Sequence, residues 1–92
     1  MKFIAPCVHP NGTSKEELVS QLHVAYNGLT AAINALRYAA PRARDYYVTG
    51  SDSYTRARSE FEHRTHTLFK LRAEIVEITT AVYAGKTETE DI

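Results

Sequence analysis

The side chains best equipped for chemistry in this 92-residue chain cluster in one short run, "PRARDYYVTG", from Pro41 to Gly50. Arg42 and Arg44 offer planar forks of donors suited to phosphate or carboxylate. Tyr46 and Tyr47 offer rings that stack on a base, and Asp45 can hold an arginine or accept from a ribose hydroxyl. Arg56 and Arg58 follow on the other side. Five arginines (Arg37, Arg42, Arg44, Arg56, Arg58) face only Asp45 and Asp52 over this stretch, a local charge of +3 on a chain whose net charge is zero. The residue types suit a nucleotide, with guanidinium to phosphate and ring to base. The alternative is structural: Tyr46 closing the end of a hydrophobic seam, with the arginines solvated.

Two further places invite a ligand. Arg64 falls where an aliphatic residue is expected on a helical seam, with His63 beside it. A buried arginine without a partner is costly, so it pairs with Glu60, fixes register as a polar layer, or meets a ligand. The run "HPNGTS", His9 to Ser14, opens a helix with free backbone N–H groups at Asn11, Gly12 and Thr13, an arrangement that suits an anion. Its alternative is a capped helix and nothing more. No glycine-rich phosphate loop, nucleophile elbow or metal quartet is present, and Glu60, His63 and His66 make at most half of a carboxylate–histidine motif. A non-enzymatic binding protein without metal or cofactor is therefore the expectation.

These groups must be positioned by helices. Ser14 with Glu17, or Thr13 with Glu16, forms a capping box, and the periodicity predicts a helix from Ser14 to Ala39, ending before Pro41. Its seam reads Leu18, Leu22, Ala25, Leu29, Ala32, Leu36, in alternating steps of four and three. A second helix is predicted from Asp52 or Ser53 to Ala84, with Gly85 terminating it and Tyr54, Ala57, Phe61, Arg64, Leu68, Leu71, Ile75, Ile78 and Val82 as its seam. At about 1.5 Å per residue the two would span about 38 and 48 Å.

The fold expected is all-α: an antiparallel helical hairpin over residues 13–85, preceded by an arm at 1–12 and followed by a disordered acidic tail at 86–92. In such a hairpin Arg64 would stand opposite Leu29. Each helix carries a second stripe: Val19, Tyr26, Thr30 and Ile33 on the first, and Phe69, Ala73, Val76, Thr80 and Tyr83 on the second. One hairpin cannot cover both, so self-association into a helical bundle is expected, unless the arm folds back over the stripe. Asn11–Thr13 and the tyrosine loop would lie at opposite ends of a hairpin, so a site using both needs two subunits.

Composition narrows the class. The apolar fraction is 43% and the charged fraction 24%, values of an ordinary folded domain. Zero net charge argues against nucleic acid as partner. The single cysteine, Cys7, forms no internal disulfide, and no segment reads as a signal or membrane span, so a cytoplasmic setting is expected.

The segments "HPNGTS", "RDYYVTG" and "EHR" (Glu62, His63, Arg64) resemble those of a set of small, mostly uncharacterised tailed-phage and prophage helical proteins, over most of residues 9–75. The resemblance implies a phage context, in which the host cytoplasm is the compartment. There, small helical oligomers can act as anti-defence sponges, sequestering nucleotide immune signals between subunits, an analogy of architecture. The leading expectation is thus an oligomer binding a nucleotide-type small molecule through Arg42, Arg44, Asp45, Tyr46, Tyr47, His63 and Arg64, with Asn11, Gly12 and Thr13 contributed by a neighbour. The alternative is a structural or adaptor protein that docks a host or virion protein on an exposed helical stripe.

Overall fold

A computed structural model describes residues 2–90, with Ser51 described by its backbone only. Two helices dominate: α1, Lys15–Tyr38, and α2, Ser51–Ala84. They pack as an antiparallel hairpin, with no strand among the described residues. At α1's start Ser14 accepts from the Glu17 N–H at 3.2 Å, so the Ser14–Glu17 pairing provides the cap. Glu16 and Glu17 face the positive end of the helix dipole. Helix α2 follows Gly50, whose φ of 115° and ψ of 161° belong to a region reserved for glycine. Gly85, at φ 70°, ends it. The Gly85 N–H donates to the Val82 carbonyl at 3.1 Å and the Lys86 N–H to the Ala81 carbonyl at 2.9 Å, the paired closure of a Schellman motif.

The molecule is a rod of 62 × 24 × 15 Å with a radius of gyration of 18.5 Å. A compact chain of this length would have a radius of about 12 Å. Fully buried apolar side chains are accordingly few: Ala5, Ile33, Ala81 and Val82. The rest of the interior is a half-buried seam.

That seam is partly rotated from the one expected: Leu18, Leu22, Leu29 and Leu36 of α1 and Tyr54, Ala57, Phe61, Leu68, Ile75, Ile78 and Val82 of α2 lie inside as the pattern predicts, and four positions do not. On α1, Ala25 and Ala32 face solvent, while Val19, Tyr26 and Thr30 are half-buried and Ile33 is only 2% exposed. On α2, Arg64 and Leu71 are exposed, and Thr65 and Arg72 take the inner places. The physical reason is area. Turning α1 by part of a residue step buries Tyr26 and Ile33 in place of two alanines, a gain of about 25 cal/mol per Å² of apolar surface. The matching turn of α2 releases the Arg64 guanidinium to water and avoids burying it unpaired. All four residues of the "second stripe" of α1 thus belong to the interface itself.

The register also differs from a symmetric hairpin. Arg72 meets Thr30, and Lys15 meets Tyr83, so Arg64 falls level with Leu36 rather than Leu29. The first turns of α2 therefore overhang the end of α1. The connection folds back along this overhang in two 3₁₀ turns, Ala43–Asp45 and Tyr47–Thr49, the second packing on α2. Its length is what the overhang requires.

The arm and tail pair with each other, and the tail folds back beside the end of α2, where Lys86, Glu88 and Glu90 line a hollow with Val76, Thr80 and Ala81. The Ala5 N–H donates to the Thr87 carbonyl at 2.9 Å, and the Thr89 N–H donates to the Phe3 carbonyl at 3.0 Å. Thr89 is buried, and its hydroxyl accepts from the Phe3 N–H at 2.9 Å. Lys2 pairs with Glu88 at 3.8 Å and Lys86 with Glu90, holding the Glu90 carboxyl below the usual carboxylate range through that hydrogen bond and charge. Residues 86–90 are thus paired where a disordered tail was expected; Asp91 and Ile92 lie outside the described residues.

The rotated seam makes a direct prediction. Ile33→Ala should cost about 2–4 kcal/mol in urea unfolding. Ala32→Ser, on the residue the heptad pattern places inside, should change stability by no more than about 0.5 kcal/mol.

Candidate functional site

At the loop end, the 3₁₀ geometry sends neighbouring side chains in different directions. Tyr46 turns inward and is half-buried, its ring 6.2 Å from that of Tyr54 at an interplanar angle of 51°. Tyr47 turns outward and is 76% exposed, as is Val48 at 79%. The turn is locked by the Thr49 hydroxyl donating to the Tyr46 carbonyl at 2.9 Å and the Ser53 hydroxyl donating to the Thr49 carbonyl at 3.1 Å. Thr49, Ser53, Arg56, Ala57 and Glu60 then line, with Tyr46, a shallow hollow of about 270 Å³.

The arginines of the loop and the start of α2, of which Arg56 lines the hollow, divide into two kinds. Arg58 is engaged: its Nη1 donates to the Tyr54 hydroxyl at 3.1 Å and its Nε to Glu62 at 3.2 Å. Those two partners raise its already high pKa, Tyr54 foremost, so its charge is permanent. Arg42, Arg44 and Arg56 are exposed and make no ion pair or side-chain hydrogen bond among the described residues. Asp45 is exposed too and, among the described residues, binds neither neighbouring arginine; its backbone N–H closes the turn onto the Arg42 carbonyl at 3.0 Å. Tyr46 therefore has the structural part expected of it as an alternative, while Arg42, Arg44 and Tyr47 are presented outward.

His63 and Arg64 are exposed on α2. They lie about 15 Å along the helix from Tyr54, on which the loop packs. A ligand spanning both places would be an extended one. Neither reading of Arg64 as a buried polar layer holds, because the seam passes it by. Asn11, Gly12 and Thr13 are exposed at the opposite end, about 36 Å away along α1. They form a turn in which the Gly12 N–H donates to the His9 carbonyl at 3.0 Å. Lys15 ties this end to α2, donating to the Tyr83 carbonyl at 3.1 Å with its ammonium 5.4 Å from the Tyr83 ring centroid.

The arginine that does enter the interhelical face is Arg72. Its Nη1 donates to the Thr30 hydroxyl at 3.0 Å, and its guanidinium lies 5.3 Å from the Tyr26 ring centroid and 5.0 Å from that of Phe69. The aliphatic stem packs on the seam while the head group rests on two rings. Sequence periodicity gave Arg72 no special status because the adjacent position, Leu71, fits the seam better. The signal that could have found it is the spacing itself: Tyr26, Thr30 and Phe69 lie on the two secondary stripes, and Arg72 sits at the edge of one.

No cluster of metal-ligating side chains occurs among the described residues, and no helix there is long and apolar enough to cross a membrane. Comparison with family models, with curated proteins and with solved structures finds no match for the chain.

The two arginines should separate in a stability assay. Arg72→Ala should lower stability by about 1–2 kcal/mol, from the lost hydrogen bond and ring contacts. Arg64→Ala should stay within about 0.5 kcal/mol of the parent.

Proposed function

We propose that this chain is a binding protein that takes up a phosphorylated small molecule at its loop end, without turning it over. One observation carries the reading: Arg42, Arg44 and Arg56 stand exposed and make no ion pair among the described residues, around a turn that also presents Tyr47. Arg56 on the shallow hollow, with exposed Arg42, Arg44 and Tyr47 on the adjoining turn, suits a nucleotide, whose phosphate takes the charge-assisted hydrogen bonds and whose base takes the ring. Glu60, Thr49 and Ser53 line the hollow and would read hydroxyls or base edges. Where the resemblance to tailed-phage proteins extends to role, the ligand would be a nucleotide immune signal and the effect sequestration.

Titration calorimetry of the full chain against cyclic, linear and ADP-ribose-type nucleotides tests this. At least one should bind more tightly than about 100 μM. Arg42→Ala and Arg44→Ala should each weaken it by about tenfold or more, and Tyr47→Ala by a similar factor. Absence of binding at that level across the panel rejects the reading.

A further inference from the structure

The hairpin leaves one face of α2 largely exposed, its far end bordered by the tail residues Lys86, Glu88 and Glu90, which line a hollow with Val76, Glu77 and Thr80. Phe69, Val76 and Tyr83 are 37%, 47% and 59% exposed, and Ala73 and Thr80 between them are exposed as well. The steps 69, 73, 76, 80, 83 alternate four and three, so this is a second heptad seam on the same helix. It continues into a groove between the helices, where Leu22, His23 and Tyr26 of α1 face Val76, Thr80 and Tyr83.

We infer that this face is the interface with a second copy of the same chain, the two α2 helices packing antiparallel about a two-fold axis between Glu74 and Ile75. Charge complementarity is the argument. Lys70 and Glu77 flank the seam on the same edge, one heptad apart, with opposite signs and with no ion-pair partner among the described residues. In an antiparallel pair centred on that axis, Lys70 of each copy lies on the same edge as Glu77 of the other, offset by about 3 Å along the axis and within reach of a long side chain, so the two-fold makes the contact twice. A parallel pair would put the two Lys70 residues on opposite flanks of the seam and keep Lys70 away from Glu77. The longer charge pattern agrees: from Ser51 to Arg72 helix α2 carries five arginines and lysines against three acids, and from Ala73 to Glu90 one lysine stands against four acids.

Side-chain size agrees as well. The same register sets Phe69 against Thr80 of the second copy, Ala73 against Val76, and His66 against Tyr83, a larger residue meeting a smaller one in each layer. It also brings Tyr83 of the second copy, with the Lys15 that is bound to it, beside His66. Asn11–Thr13 of that copy then fall level with His63 and Arg64 rather than with the tyrosine loop. This interface is independent of the ligand proposed for the loop.

The test is the mass of the full chain by light scattering at about 100 μM and low salt, where a pair flanked by solvated charges is least screened. The parent should run at twice the chain mass or an even multiple. Val76→Glu should run as a single chain with its helical circular dichroism retained. Lys70→Glu should weaken association by about tenfold or more, and Lys70→Glu combined with Glu77→Lys should restore it. The charge pair decides the matter even if Val76→Glu fails to fold. A monomeric parent, an assembly indifferent to Lys70→Glu, a double reversal that fails to rescue, or a foreign protein held stoichiometrically on this face in place of the second copy would each overturn the inference.

Discussion

Two helices lying side by side can each bury only one stripe, and every other feature of this protein follows from that limit. A helix presents its full circumference, and a single neighbour covers about a third of it. The outcome is a thin rod with a half-buried seam and only four fully buried apolar side chains among the described residues. Such a core is small for a domain of this size, and stability must lean on edges and closures. Ser14 and Gly85 seal helix ends, and the arm and tail seal one end of the rod with paired backbone.

The same limit explains how arginine is used. Each position that the seam cannot bury becomes available for another purpose. Arg72 sits at the seam's edge, where its stem is covered and its head reaches Thr30 and two rings. Arg58 is spent on holding the start of α2 through Tyr54 and Glu62. Arg42, Arg44 and Arg56 make no ion pair or side-chain hydrogen bond among the described residues. A chain of zero net charge that leaves several arginines unneutralised at one end has concentrated an electrostatic field there. That end is built on the overhang of α2, a rigid platform for an otherwise irregular turn.

Much of this was legible in the sequence. The two helices, the antiparallel hairpin, the Ser14–Glu17 cap and the Gly85 stop follow from heptad steps, capping chemistry and glycine's access to left-handed backbone. The concentration of arginine and tyrosine between Pro41 and Arg58 is visible by inspection. Which stripe faces inward was not, because α1 carries two adjacent apolar lines of nearly equal merit. The arm–tail pairing was masked by the polarity of Lys86–Glu90, although the alternating Thr87, Glu88, Thr89, Glu90 has the period of a strand.

Sequence by itself thus determined the element types and their ends, since propensity, capping and period act within a few neighbouring residues. Tertiary structure alone decided the rotation and register of the helices, because these compare the buried area of one pairing with that of another across the whole interface. A turn of part of one residue exchanged Arg64 for Arg72 and Ala32 for Ile33. A slide of about two turns made the overhang on which the tyrosine loop rests. No local pattern encodes either choice, and together they set which arginines hold the fold and which stand exposed.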